Sequence, residues 1–206
     1  LRVVVPDLEQ IARTYLTALE KADAGLEEWH NNYEWILLEM YDQTVRNRYG
    51  GDMAAYLSRE SIPNEGFIID RLGTKAKNLI EAGKRRRKKP ESTKATENHP
   101  KRIAKEVYRF LRSPNHRREL ILKRLLGSEY KTLQIGRFRQ GGEVHQWMYD
   151  RYSLSVLLNR IGLEKVKQCS AKESYVPDWE SWNLDTEPDG SIYRSDSLYM
   201  EGIKPD

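Results

Sequence analysis

Two stretches near the end of the chain decide its fold class: "SLSVLLNRIGLEKVKQCSAKES" (residues 153–174) and "SLYMEGIKP" (residues 197–205). In the first, Leu154, Leu157, Leu158 and Ile161 recur at helical spacing and Gly162 follows, the pattern of a short helix with one apolar face and a glycine stop. The residues that come next, "LEKVKQCSAKES", alternate enough to form a strand centred on Val166–Ala171. "DTEPDGSIYR" is a turn-rich connection, and "SLYMEGIKP" is a final strand ended by Pro205. A helix that leads into a strand is half of a right-handed crossover on a parallel sheet. Two strands joined by one long loop are most simply antiparallel.

The opening "LRVVV" is β-branched and apolar, which suits a strand buried on both faces of a parallel sheet. Such a strand needs neighbours, so the chain reads as the C-terminal part of a larger protein. The expected class is α/β, with three strands, the last reversed, and a large helical insertion after the first. The expected organisation is a strand at 1–7, a helical insertion or lid at 8–142 containing a basic linker at 84–99, and a terminal helix with two strands at 143–206.

Within the insertion, Asp7 is placed to cap a helix whose face is Leu8, Ile11, Ala12, Tyr15, Leu16 and Leu19, with Gly25 ending it. A second helix carries Trp29, Tyr33, Ile36, Leu37, Met40, Tyr41 and Thr44 along a stripe. "GGD" at 50–52 breaks it, and Asp52 is expected to cap a short helix through Leu57. Asn64 is expected to cap a longer one, from Glu65 to about Ala82, with Phe67, Ile68, Leu72, Ala76 and Leu79 inward. "GKRRRKKPESTKATENHP" has no apolar period and reads as a loop. Helical patterns resume at Ile103, Ala104, Val107, Tyr108 and Leu111, and again in "HRRELILKRLLG".

Charge is unevenly spread. Between Lys75 and Arg139 there are 21 Lys and Arg against 6 Glu, leaving the rest of the chain acidic. A segment polarised this way attracts anions. The single cysteine, Cys169, excludes an intrachain disulfide and a thiolate zinc cluster, and it reads as a buried strand residue. "DTEPDG" lacks the spacing and closing Glu of a calcium loop. No apolar run is long enough to span a bilayer, and a cytoplasmic setting is the default expectation.

Four stretches carry a family likeness: "LRVVVPDLE", "GRFRQGGEVHQWMYDRYSLSVLLNRIGL", "SAKESYVPDW" and "LDTEPDGSIYRSDSLYMEGIKP". On these the chain resembles the C-terminal half of class I S-adenosylmethionine-dependent methyltransferases, in particular the bacterial type 11-like group. The resemblance implies the end of a Rossmann-like sheet in which the last strand lies antiparallel between the two before it. Val3–Val5 would then pair with Ser197–Ile203, and that strand on its other side with Val166–Ala171. It also implies S-adenosylmethionine as cofactor, held mainly by a glycine-rich loop and an acidic residue upstream of Leu1. The methyl acceptor would be a sugar or another small molecule.

In open α/β sheets ligands bind beyond the carboxyl ends of strands. Asp7 stands at such an end, as helix cap or as substrate contact. His145, in "EVHQWMYD", crosses the same rim in this family. It is a candidate general base toward an acceptor hydroxyl, or a residue that orders the loop. With alternating side chains, Trp147 and Tyr149 would share its side as pocket wall, and Gln146 and Met148 would face away. Arg137 and Arg139 flank Phe138, and on an extended segment they would form a fork for phosphate or carboxylate; otherwise they are a solvated basic face. Lys84–Lys89 suggest the alternative function, a basic helical module binding nucleic acid or another polyanion, against the simpler role of exposed linker.

Overall fold

The computed structural model describes residues 1–88 and 108–205. They belong to two compact units, residues 1–84 with 145–206, and residues 85–144. The first unit holds a three-stranded sheet of β1 (Arg2–Pro6), β2 (Glu164–Cys169) and β3 (Ser197–Ile203), in the order β1-β3-β2. β3 runs antiparallel to both neighbours, with Val3 opposite Met200, Val5 opposite Leu198 and Gln168 opposite Met200. The protein is therefore mixed α/β, and its last strand lies reversed between the other two, the pairing expected from the sequence.

Strand periodicity sorts β3 onto two different environments. Leu198 and Met200 face the helix Arg151–Arg160, packing on its Leu154 and Leu158 together with Val3, Val5 and Val166. Tyr199 and Glu201 face the other way. There Arg2 reaches the Glu201 carboxylate at 2.9 Å, Asp185 at 2.7 Å and the carbonyls of Ser170 and Glu173, and stacks over Trp179 and Tyr199. Burial opposes ionisation of Glu201, but hydrogen bonds from Ser174, the Tyr175 amide and Arg2 outweigh it and hold the carboxyl below its usual range. The edge strand β1 is less covered than a strand buried on both faces, since Val4 is exposed.

The helices follow their local signals at the ends and tertiary demands in between. α1 (Leu8–Asp23) starts where the Asp7 carboxylate accepts from the Gln10 amide and stops before Gly25. α2 (Glu27–Val45) packs against α1, against α3 (Gly51–Leu57) and against α4 (Glu65–Leu72). Its buried side is therefore wider than the expected stripe: Trp35, Glu39, Asp42 and Gln43 are inside, and Tyr41 is exposed. Neither expected cap forms at the next two starts. The amide of Asp52 donates to Asp42 at 2.6 Å, so α2 itself caps α3. Asn64 is drawn inward instead, accepting from the Tyr56 hydroxyl and donating to the Asn31 carbonyl.

The helix expected from Glu65 to Ala82 is two helices. α4 ends at Gly73 (φ +68°), and α5 (Thr74–Lys88) begins anew. The break shifts the phase, so that Ile80 is buried and Leu79 exposed. α5 runs on through Lys88, so residues 84–88 of the expected linker are helical. Arg and Lys have high helix propensity, and Lys84 pairs with Glu65. The remaining linker residues, 89–99, and the apolar positions Ile103, Ala104 and Val107 lie outside the described residues.

The second unit contains α6 (Pro114–Leu126), with Ser113 as N-cap and Pro114 at its first position, and α7 (Glu129–Gln140). Glu119 joins them, accepting from the Tyr130 hydroxyl and from Arg137, both at 2.7 Å. In the first unit, α8 (Arg151–Arg160) carries a capping box in which Asp150 and Ser153 satisfy each other's backbone. It buries Leu154 and Leu158, whereas Leu157 and Ile161, also expected inward, are exposed because α8 covers the sheet on one narrow side.

The buried charge of the helical layer is concentrated at Glu39. Its carboxylate accepts from Arg71 of α4 through Nε at 3.1 Å and through Nη2, and from the Trp35 indole. Arg71 also reaches the Thr14 hydroxyl of α1 at 3.1 Å, so one guanidinium ties three helices. Burial pushes the Glu39 carboxyl up, and Arg71 pulls it back. Removing one partner strands the other charge in the core, so Arg71→Leu is expected to lower unfolding stability by about 3–5 kcal/mol. Glu39→Leu combined with Arg71→Leu should recover a large part of that loss in chemical denaturation.

Candidate functional site

The carboxyl end of β1 is where the elements of the first unit converge. Asp7 donates its amide to the Asp196 carbonyl at 3.1 Å, and the Leu8 amide donates to the Tyr149 carbonyl at 3.0 Å. A parallel bridge links Asp7 and Tyr149. The His145 amide donates to the Gln43 carbonyl at 3.0 Å, satisfying an acceptor in the last turn of α2. The segment from His145 to Tyr149 is thereby strung from α2 to the start of α1.

Its side chains do not alternate as an extended strand would. Met148 packs with Ile11, Ala18 and Ile36, and its neighbour Tyr149 packs with the sheet cluster around Leu198. Trp147 is 67% exposed, so it is neither core nor wall. His145 is half-buried and Gln146 exposed. Arg137 and Arg139 lie on helix α7, where positions two apart point to different sides, so they form no fork. Arg137 is held by Glu119 instead.

Beside this rim is a cavity of about 230 Å³. Its polar lining is Gln43 and Arg46 from the end of α2, Lys75 from the start of α5, and Arg194 with Asp196 from the approach to β3. Met53, Leu57 and Leu72 supply an apolar side. His145 is not among the lining residues, but Gln43, whose carbonyl holds the His145 amide, is one of them.

The glycine hinge explains how these charges meet. A Cβ on Gly73 would lie 2.5 Å from the Ile192 carbonyl oxygen. With none present, the loop before β3 closes onto the start of α5, where the amides of Thr74 and Lys75 donate to the carbonyls of Ile192 and Tyr193. Arg194 is then fixed on both sides. Its guanidinium donates to Asp196 at 3.0 and 3.3 Å, and its carbonyl accepts from the Tyr199 hydroxyl at 2.6 Å. Burial, with Asp185 and Asp196 nearby, pushes the Tyr199 phenol up to about 12, so it remains a donor. At the other end of the cavity, Gly51 (φ +58°) lets the backbone pass over Asp42, whose carboxylate would lie 2.2 Å from a Cβ there.

Among the described residues no hydrogen bond or ion pair holds the Lys75 ammonium. Burial lowers its pKa, and the nearby guanidinium groups of Arg194 and Arg46 lower it further, against the opposing pull of Asp196. The lining thus sets three cations against one carboxylate, and that carboxylate is already engaged. Sequence reading missed these residues because they come from three separate elements. The only local trace is "RSD" (194–196) in the turn-rich connection and a Lys two positions after the breaking Gly73.

Other features of the first unit offer less. A groove of about 630 Å³ along residues 172–181 is lined by none of the candidate site residues Asp7, Arg137, Arg139, His145, Trp147 and Tyr149. Cys169 is free and buried, and burial raises its thiol pKa. Among the described residues no cluster of three or more His, Cys, Asp or Glu could hold a metal ion, and no helix is long and apolar enough to cross a membrane. Comparison with protein-family models, curated proteins and solved structures finds no match to this chain.

Because Asp7 caps α1 at this rim, Asp7→Ala should lower stability by about 0.5–2 kcal/mol. Asp7→Ser, which keeps an accepting oxygen for the Gln10 amide, should unfold close to wild type under urea titration.

Proposed function

We propose that this chain is the acceptor-side part of a class I S-adenosylmethionine-dependent methyltransferase that acts in the cytoplasm on a small molecule, such as a sugar derivative. The observation that carries the proposal is β3, which runs antiparallel between β1 and β2 and follows a helix–strand unit. That is the order in which the resemblance places the last three strands of a Rossmann-like methyltransferase sheet. The cavity beside the carboxyl end of β1 supports it further, since ligands of α/β sheets bind at such ends.

The residues described here do not fit the cofactor by themselves. Gly50 and Gly51 stand at the start of helix α3, and Gly141 and Gly142 follow helix α7. Neither pair makes the strand-to-helix turn whose amides would receive a carboxylate. In this proposal S-adenosylmethionine is held by a segment outside these residues, and supplies an already activated methyl group. The chain's own work is to hold the acceptor in line and to take up a proton where the acceptor is a hydroxyl or amine.

His145 is the proposed base, supported by its place at the Gln43 turn of α2. Asp7 and Tyr149 frame the rim, while Trp147 on the surface and Arg137 on α7 have weaker claims on the acceptor. A polyanion-binding module has less support, since Lys84 and Arg137 are engaged by Glu65 and Glu119.

The test is transfer of labelled methyl groups from S-adenosylmethionine to small-molecule extracts by the full-length gene product. Failure of that protein to bind S-adenosylmethionine overturns the proposal. The 206 residues alone are expected to show no binding of S-adenosylmethionine by calorimetry. In the full-length enzyme, His145→Ala should cut turnover by roughly 10²-fold with cofactor affinity little changed. His145→Gln keeps a hydrogen bond without the basicity, and full activity there makes His145 a structural residue.

A further inference from the structure

We infer that the cavity formed by Arg46, Lys75 and Arg194 binds an oxyanion, a phosphate or carboxylate carried by a small ligand with an apolar part. That this ligand is the methyl acceptor rests on the function proposed above; that it is an anion rests on the cavity alone.

The charges give the first reason. Arg46, Lys75 and Arg194 reach one space from three elements, and among the described residues the acid in that lining is Asp196. Asp196 is spoken for, since Arg194 donates to it twice and the Ser197 hydroxyl once. Asp42, at the end of α2, accepts from the Asp52 amide through Oδ1 while its Oδ2 is buried without a hydrogen bond, and no contact joins it to Lys75. Glu39, further in, is saturated by Arg71 and Trp35. The half-buried Lys75 ammonium therefore has cations for neighbours and no acceptor in contact among the described residues. Like charges gathered in a partly desolvated space are unfavourable for folding, and an anion in their midst relieves them.

The backbone gives the second reason. Gly73 and the amides of Thr74 and Lys75 clamp the loop that delivers Arg194, and Tyr199 clamps its carbonyl. Arg194 is thus held in place before any ligand arrives, as an anion site requires. Gln43, buried beside them, adds an amide that can donate to an oxyanion.

Size and walls define the rest of the ligand. About 230 Å³ is below the usual volume of a pocket that swallows a whole drug-sized molecule, so it takes the charged end of one. Met53, Leu57 and Leu72 offer a surface for an adjoining ring or short chain.

The test uses three probes of similar shape on the wild-type protein at fixed ionic strength and without cofactor: phenyl phosphate, benzoate and the neutral benzyl alcohol. Titration calorimetry should show binding of at least one anion and none of the alcohol. Lys75→Met should weaken that anion by about tenfold or more, the loss of one charge-assisted contact. The same variant should melt no lower than wild type, because it removes a repelled charge. Which anion binds more tightly decides between phosphate and carboxylate. Binding of neither anion, equal binding of the alcohol, or unchanged affinity in Lys75→Met overturns the inference. Arg46→Gln gives an independent check on the same titration, and unchanged affinity there also counts against it. Since cofactor is left out, these outcomes are separate from the methyl-transfer assay: a full-length protein that binds the anion but transfers no methyl group sinks the enzyme proposal alone.

Discussion

Strand β3 has to reach β1 across almost the whole chain, and the rest of the first unit depends on that closure. Arg2 and Glu201 are 199 positions apart, yet they pair in the ladder and through their side chains. Closing so long a loop costs conformational entropy that grows only slowly with length, so a few well-placed contacts can sustain it. Leu198 and Met200 supply apolar burial on one face, against α8. On the other face the Arg2 guanidinium gathers Glu201, Asp185 and two loop carbonyls, so the connection between β2 and β3 is bound to the sheet by polar contacts. The two sides of one strand thus use different physics for the same task.

The helical layer inverts the usual expectation that charge lies outside. Its centre holds Glu39 and Arg71, which satisfy each other and so can be tolerated in a low-dielectric interior. Toward the rim, the balance shifts. Arg194 finds Asp196, but in the same cavity no described residue accepts from the Lys75 ammonium. The fully paired network serves the fold. The unbalanced one is where a ligand has something to contribute, and it stands near the carboxyl end of β1, where α/β sheets place their chemistry.

The network at the cavity hangs on a backbone position that only glycine fills. Gly73 divides what would have been one helix, and the loop ahead of β3 closes against the break. Had the helix run straight, Lys75 would keep the phase of α4 and its amide would bond within the helix instead of to Tyr193. One residue with positive φ therefore connects helix phase, loop docking and the composition of the cavity.

The sequence by itself determined those features whose causes lie within a few residues. Asp7 caps α1 because its carboxylate meets an amide three positions on, and Gly25 stops that helix for an equally local reason. The order of strands was legible because a helix before one strand and a long loop after it leave few ways to connect three strands. Tertiary structure alone decided the rest. Trp35, Glu39 and Asp42 are buried because α2 is packed by α1, α3 and α4 at once, which no single stripe reveals. Arg137 and Arg139 ceased to be a fork once their segment was helical. The aromatic run "HQWMY" announced burial but not its direction, and Trp147 turned out to solvent while Met148 and Tyr149 packed into two different clusters. The cationic cavity was invisible in the sequence for the same reason. Arg46, Lys75 and Arg194 are far apart along the chain, and only the packing of distant elements brings them to one space.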